Sequence, residues 1–302
     1  MYDNDSKGIS FAAGFFMLLA FAIAGIYLAN EINIQIWKAM TGKSYEQFLT
    51  GMTDPGNARV YQITQCINAV IGFFFPTLIV ASLLHRRPMK LLGFSSNVTA
   101  QQVLLVFFIT AAAVFVGGAL SYLNYQIPLP PAWKTSFDKM EADYNQQVQA
   151  ILQLKNSRDY ILALVIMGFL PAVCEETLFR GGLQNFLYRS TRKPWLAIIV
   201  VSLIFSLAHF SAYGFFFRLS LGIVLGCLYH YSGKLWLSTL AHFLNNALVI
   251  TVSYIYITQG RAMNDVFGEK TSSYWGLLAL PVLIALLLFY KRIFFNSEKR
   301  ST

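Results

Sequence analysis

Four ionisable side chains of types that can activate water interrupt the apolar second half of the chain. Glu175 and Glu176 are adjacent, and His209 and His242 follow within later apolar runs. A charged side chain at mid-membrane depth costs about 2.5–3.5 kcal/mol or more, so it is retained where it is paired, hydrated or functional. The pattern therefore predicts a polar reaction site inside a hydrophobic protein.

The glutamate pair belongs to a short motif that gives its two carboxylates different tasks. Glu176 precedes Arg180 by four residues, so on a helix the two share a face, with the acid in the favourable N-terminal position. Glu175 is turned by roughly 100° and cannot use the same arginine as readily. We therefore expect Arg180 to neutralise Glu176 and Glu175 to act on water as a general base. The alternative is a helix end at the membrane surface, with Arg180 reaching the headgroups.

Each histidine has a partner four residues away. Phe205 precedes His209 and would give its imidazole an apolar wall, while Asn246 follows His242 on the same helix face. We expect His209 to act on water as a second ligand or acid. His242 and Asn246 would donate hydrogen bonds to an oxyanion, with Asn245 as the weaker candidate. Packing for His209 and interhelical hydrogen bonding for Asn246 are the alternative roles.

Together these groups meet the requirements of amide hydrolysis without a covalent intermediate. The chain contains no Gly-x-Ser-x-Gly elbow and no His-Glu-x-x-His sequence, which argues against a serine hydrolase and an ordinary zincin. A zinc ion held by Glu175 or Glu176 with His209 and His242 is the alternative, the other glutamate then serving as base. The spacing leaves the metal-free and the zinc-assisted schemes open.

The elements that must position these residues are membrane-spanning helices. Hydrophobic residues make up 56% of the chain and charged residues 12%, and the mean hydropathy is +0.52. Several apolar runs reach the ~20 residues that a spanning helix needs, and they are continuous rather than alternating, which excludes a barrel. We predict an all-α polytopic bundle of about eight transmembrane helices enclosing a polar cavity. The predicted spans are 9–29, 63–84, 103–124, 160–189, 195–211, 214–231, 235–258 and 274–294, and the fourth is expected to contain a break or to extend past the bilayer.

The distribution of charge orients this bundle. With the N-terminus in the cytoplasm, bases such as Arg86, Arg87, Arg189 and Lys193 lie on the inner side, where the net charge of +9 is concentrated. Both termini are then cytoplasmic, and we expect residues 1–302 to form a single integral membrane domain. Anionic lipid headgroups account for the basic charge, so no nucleic-acid partner is expected.

Two features are predicted for the outer side. The polar stretch from Trp133 to Leu154 is mildly amphipathic and is expected to form a helix on the membrane surface. Arg218 is expected to reach lipid headgroups, with the binding of a substrate carboxylate as the alternative. Along its helix Glu175 lies ~21 Å from Arg189, which places the site near mid-membrane or toward the outer side.

The three motifs resemble those of the CPBP family, which comprises the type II CAAX prenyl endopeptidases and the related bacteriocin-processing Abi proteins. That family carries Glu-Glu-x-x-x-Arg, Phe-x-x-x-His and His-x-x-x-Asn in this order. The matching residues here are Glu175, Glu176, Arg180, Phe205, His209, His242 and Asn246. The resemblance covers a catalytic core at about 160–258 and does not extend to the first three spans or the last.

The resemblance implies an intramembrane endopeptidase that hydrolyses peptide bonds of a membrane-associated protein or peptide. It implies that Glu175 and His209 activate water and that His242 and Asn246 hold the oxyanion. The family is described both as metalloproteases and as glutamate-dependent proteases, so Zn²⁺ stays an alternative. Eukaryotic relatives trim prenylated tails, whereas this compact chain resembles bacterial members of the cytoplasmic membrane, which are linked to peptide maturation, self-immunity or membrane-protein turnover.

Two other classes of function are consistent with buried acids and histidines. A proton-coupled transporter would use them as a relay, but it predicts inverted repeats and paired broken helices, which the sequence does not display. A non-catalytic immunity or scaffold protein could use the same fold, although an intact set of three motifs is not what an inactive relative requires.

Overall fold

The computed structural model describes residues 5–51, 54–94, 97–261 and 273–300. These parts of the chain form helices and contain no β-strand beyond an isolated bridge between Ser6 and His85. The helices are α1 (Phe11–Thr41), α2 (Tyr45–Thr50), α3 (Ala58–Leu84), α4 (Pro88–Leu91), α5 (Ala100–Tyr125), α6 (Pro131–Ile151), α7 (Ser157–Thr191), α8 (Pro194–Leu207), α9 (Phe215–Ser232), α10 (Leu235–Thr258) and α11 (Leu280–Arg300), with short 3₁₀ helices at Pro55–Asn57 and Tyr274–Ala279.

Within the described residues, seven helices are long and apolar enough to cross a membrane. They are α1, α3, α5, α7, α9, α10 and the segment Tyr274–Phe294. The predicted polytopic helical bundle is therefore confirmed. The remaining predicted span corresponds to α8, which is apolar but has only 14 residues. Such a helix is ~21 Å long and falls short of the ~30 Å hydrocarbon core.

The first helix is longer than its predicted span, 9–29. It continues to Thr41 and ends where Gly42 adopts a positive φ of 68°, a conformation that glycine accepts without strain. The added turns are held by burial, because Trp37 is fully buried and Asn33 is 2% exposed. Hydropathy alone misses this extension, since its surface is polar while its inner face packs on the protein.

Helix α7 carries both glutamates and runs without a break over 35 residues. At ~1.5 Å per residue it is longer than the bilayer core is thick, so it must tilt or project beyond it. Two stretches, Leu164–Phe169 and Thr177–Gln184, have π-helical hydrogen bonding. Wider π turns occur frequently at functional sites. The second one begins directly after Glu176 and contains the buried Arg180.

The predicted span 195–211 is wrong at its C-terminal end. Helix α8 ends at Leu207, and residues 208–214 form an irregular turn into α9, so His209 lies in a turn and not in a helix. Non-helical backbone at membrane depth is tolerated only where protein or water satisfies its polar groups. The hydroxyl of Ser206 donates to the carbonyl of Phe215 at 2.7 Å and closes the turn from the α8 side.

Side chains of α5 and α6 satisfy the remaining groups of this turn. The amide of Asn124 donates to the carbonyls of Ala212 and Tyr213 at 2.8 and 2.9 Å. The hydroxyl of Tyr213 donates to Asp138 of α6 at 2.5 Å. The turn is therefore fixed by contacts between distant segments, which the sequence of residues 195–211 does not reveal.

The surface helix predicted from Trp133 to Leu154 is observed as α6, Pro131–Ile151. It is not among the candidate spanning helices. One end is held to α3, because the amide of Gln62 donates to the carbonyl of Ile151 at 2.9 Å. The other end is held to the turn after α8 through Tyr213. Helix α6 is thus attached both to α3 and to the turn after α8.

Two apolar clusters pack on either side of the polar centre. One joins α1, α3, α7 and α8 and includes Leu18, Val80 and Phe186, each fully buried. The other joins α5, α9 and α10 and includes Ile109 and Leu225, also fully buried. Large apolar side chains on the outer faces of the bundle are exposed, as expected for surfaces that contact lipid tails.

Candidate active site

A cavity of about 350 Å³ lies between α5, α6, the turn after α8, α9 and α10. Its lining includes predicted site residues from the second and third motifs, namely Phe205, His209, His242, Asn245 and Asn246. Residues that are 41 positions apart in the sequence therefore share one polar space. The cavity thus brings together polar groups of two of the three motifs.

The site contains a buried ion pair. The guanidinium nitrogen Nη1 of Arg180 lies 2.8 Å from Oε1 of Glu176, and both side chains are 0% exposed. Arg180 also donates through Nη2 to the carbonyl of Gly222 in α9 at 3.2 Å. The predicted pairing at four residues is observed. Because burial of two charges is costly, such a pair depends on good geometry and on further hydrogen bonds.

The same carboxylate oxygen also contacts a histidine of another helix. Oε1 of Glu176 lies 3.0 Å from Nδ1 of His242, and the imidazole is 4% exposed. With the carboxylate as acceptor, Nδ1 carries the hydrogen of this bond. The contact fixes the ring orientation and directs Nε2 away from Glu176.

Glu175 has a different environment from its neighbour. Its Oε2 lies 3.8 Å from Nε2 of His242, has no hydrogen-bond partner and belongs to a side chain that is 17% exposed. Two polar atoms at this separation can both contact one water molecule. Glu175 does not line the large cavity itself. It lies behind His242, and its Oε2 is buried without a hydrogen-bond partner.

One aromatic ring packs against three polar side chains of the site. The Arg180 guanidinium lies 4.6 Å from the ring centre of Phe205, and the rings of His209 and His242 lie 4.9 and 5.6 Å from it. Phe205 is 1% exposed. The predicted apolar wall beside His209 is present, and it also contacts the second histidine and the arginine.

His209 is positioned by its own backbone. Its Nδ1 donates to the carbonyl of Phe205 at 2.8 Å, one turn earlier in the chain. This bond leaves Nε2 as the ring nitrogen that can contact a ligand in the cavity. The following residue, Phe210, has a positive φ of 49° and a ring that is 76% exposed, so the backbone is non-helical directly after the histidine.

The two asparagines of the third motif both reach the cavity. The amide nitrogen of Asn246 donates to the carbonyl of Gly168 in α7 at 3.4 Å, and that of Asn245 donates to Oδ1 of Asn246 at 3.3 Å. Asn246 therefore makes an interhelical hydrogen bond, the alternative role considered for it. Because its amide carries two hydrogens, one remains for a ligand.

Three cavity residues were not assigned to the site from the sequence. Arg218 of α9 lines the cavity, so the expectation that it reaches lipid headgroups is wrong for this position. Glu141 and Tyr144 of α6 also line it. Their spacing of three residues on an amphipathic helix is a signal that they share a face. The sequence of α6 does not specify where the helix packs, so it does not reveal that this face lines a cavity.

The alternative zinc set is not formed by the described residues. No group of three or more His, Cys, Asp or Glu side chains in these ranges is placed to hold a metal ion. Glu176, one of the candidate ligands, is already contacted by Arg180 and His242. The side chains as they stand do not fit a zinc ion, so their chemistry is considered with water alone.

Residues 157–248 match the family model described as Type II CAAX prenyl endopeptidase Rce1-like. No curated protein and no solved structure gives a significant match to the chain. The matched stretch contains all three motifs, so the resemblance to the CAAX prenyl endopeptidases is confirmed. The seven apolar helices indicate an integral membrane protein, and the matched stretch is similar to a family of peptidases.

Proposed function

We propose that the chain is an intramembrane endopeptidase that hydrolyses a peptide bond of a membrane-associated protein or peptide with water activated by Glu175. One observation carries this proposal, namely the unequal environments of the two glutamates. Glu176 is engaged through Oε1 by Arg180 and His242, whereas the side chain of Glu175 forms no hydrogen bond among the described residues and lies 3.8 Å from His242. A general base needs a carboxylate that is free to take a proton, and Glu175 meets this requirement.

In the proposed reaction, Glu175 removes a proton from a water molecule as its oxygen attacks the peptide carbonyl carbon. The proton then passes to the leaving amine as the carbon–nitrogen bond breaks. His209 contacts the same water or the leaving group through Nε2, since its Nδ1 is engaged by the carbonyl of Phe205. No covalent bond to the protein forms, in keeping with the residue types present.

His242 and Asn246 are proposed to stabilise the oxyanion. For Nε2 of His242 to donate, the ring must be in its imidazolium form, because Nδ1 already carries the hydrogen directed at Glu176. The adjacent carboxylates of Glu175 and Glu176 are the counter-charges for that form. Asn246 supplies the amide hydrogen that its bond to Gly168 leaves over.

We further propose that 160–258 is the catalytic core of one membrane domain formed by 1–302, and that both termini lie in the cytoplasm of a bacterium. The basic turn at 192–193, which joins α7 to α8, supports this orientation. Helix α8 separates that turn from His209 by its whole length. The cavity then lies toward the outer side, under the surface helix α6.

Cleavage of a library of membrane-tethered peptides tests the proposal. The protein is reconstituted in liposomes with the library, and products are identified by mass spectrometry. Wild type and the matched variant Glu31→Gln, which changes an exposed carboxylate of α1, should release the same fragments. Glu175→Gln should release none. Proton-coupled solute flux without any peptide cleavage would instead support a transporter.

A further inference from the structure

Arg218 places a positive charge in the cavity and forms no ion pair with a carboxylate of the described residues. Its Nη1 is buried and lacks a hydrogen-bond partner. No Asp or Glu among the described residues forms an ion pair with it within 4.0 Å. The other arginine of the site, Arg180, pairs with Glu176 at 2.8 Å. Of the two guanidinium groups, only that of Arg180 has a paired carboxylate in the part of the chain that the structure describes.

The acidic side chains on the helix above Arg218 have other partners. Glu141 lines the same cavity, but its Oε2 accepts a hydrogen bond from Ser211 at 2.8 Å. Asp138 accepts from Tyr213 at 2.5 Å and pairs with Lys134 at 3.0 Å. These contacts hold α6 on the turn after α8. Neither carboxylate forms an ion pair with Arg218 within 4.0 Å.

The guanidinium is nevertheless held in place. It lies 4.9 Å from the ring centre of Tyr144 in α6, a cation–π contact that orients the plane without using the N–H groups. The backbone at Gly214 allows this position, since a Cβ there would lie about 2.0 Å from Nη1 of Arg218. An oriented guanidinium with free N–H groups matches the two oxygens of a carboxylate.

The arginine is also close to the groups proposed for catalysis. It lines the cavity with His209, His242 and Asn246. A ligand held at Arg218 would therefore extend toward the proposed water site. This placement favours a role in substrate selection over one in packing.

Resting on the proposed function, we propose that Arg218, oriented by Tyr144, binds a carboxylate of the substrate and so selects peptides that carry one near the cleaved bond. That carboxylate can be a chain terminus or the side chain of an aspartate or glutamate. Both present the same planar anion to the guanidinium. A residue that binds substrate here is a specificity-determining residue, and it takes no part in proton transfer.

The test compares tethered peptides that differ only in this group. One pair has a free C-terminus or a C-terminal amide, and a second pair has Glu or Gln beside the cleaved bond. Wild type should cleave one carboxylate peptide with a kcat/KM higher than that of its amide counterpart by on the order of tenfold. The pair that shows the preference identifies the source of the carboxylate.

Arg218→Gln should raise KM for the carboxylate peptide, so that the ratio of kcat/KM between the two members of the pair approaches one, and Arg218→Lys should keep part of the preference. Arg158→Gln, which changes an exposed arginine, is the control. Equal cleavage of both members of each pair by wild type would overturn the proposal while the proposed function stands. A loss in Arg218→Gln that follows the anionic lipid content and not the peptide would also overturn it.

Binding to the Glu175→Gln variant separates this proposal from the proposed function. Fluorescent carboxylate and amide peptides are titrated onto that variant with and without Arg218→Gln. Tighter binding of the carboxylate peptide that disappears with Arg218→Gln supports the proposal even if no cleavage is found. Equal binding of the two peptides contradicts it.

Discussion

Nδ1 of His242 lies 3.0 Å from Oε1 of Glu176, and this contact joins two helices whose residues are 66 positions apart in the chain. The same oxygen lies 2.8 Å from Nη1 of Arg180. Because the imidazole is oriented by Glu176, its Nε2 is directed toward Glu175 at 3.8 Å. The adjacent glutamates thus have separate tasks, one as an orienting anion and one as the proposed base.

The buried pair of Glu176 and Arg180 should be important for stability. Glu176→Gln leaves the guanidinium without its counter-charge, which should cost about 3–5 kcal/mol of unfolding free energy. Replacing both partners by Glu176→Leu and Arg180→Met should recover much of that loss, since no unpaired charge remains. Unfolding in detergent measures the free energy of unfolding of the single and the double variant, with Glu31→Gln as the control. A loss below about 1 kcal/mol in Glu176→Gln would mean that the pair behaves like an exposed one.

The link between α6 and the turn after α8 should depend on pH in a defined direction. Hydrogen bonds from Tyr213 and then Lys134 hold the pKa of Asp138 below its ordinary value of 3.8. Because the pKa of Asp138 is lower in the folded protein, the contact contributes all of its stabilisation at pH values above 3.8. It is lost as the pH falls through the lowered pKa.

Tyr213→Phe removes the hydrogen bond that lowers the pKa of Asp138 most, so this pKa should rise toward 3.8. A carboxyl carbon NMR titration of Asp138 measures the change. Tyr45→Phe, at an exposed tyrosine of α2, should leave the titration unaltered. An unchanged pKa in Tyr213→Phe would show that the contact with Tyr213 does not hold the carboxylate.

Chelation should leave peptide cleavage intact. The described residues offer no set of three metal-binding side chains, and Glu176 is occupied by Arg180 and His242. We therefore expect the same cleavage rate before and after prolonged dialysis against EDTA, and no gain on addition of Zn²⁺. Loss of activity that only zinc restores would support the zinc-assisted alternative and reassign the ligands.

Local spacing predicted the parts of the site that local structure determines. Glu176 and Arg180 are four residues apart on one helix, so their pairing follows from helix geometry. The same holds for Phe205 beside His209. The span from 235 to 258 was predicted with its observed ends, because polar residues flank a long apolar run.

Contacts between distant segments explain what the sequence did not predict. Helix α8 ends at Leu207 because Asn124 and Asp138 stabilise an irregular turn after it, directly and through Tyr213. Hydropathy continues past that point and suggests a longer span. Arg218 was assigned to the headgroups for the same reason, since only the position of α6 reveals that a cavity lies beside it.

The rate of a single turnover tests the central assignment most directly. With enzyme in excess over one tethered peptide, Glu175→Gln should slow cleavage by at least ~10²-fold, the usual contribution of a general base. Glu175→Asp keeps the carboxylate and should retain more activity than Glu175→Gln, while peptide binding stays the same in all three proteins. Cleavage by Glu175→Gln at the wild-type rate would contradict the account.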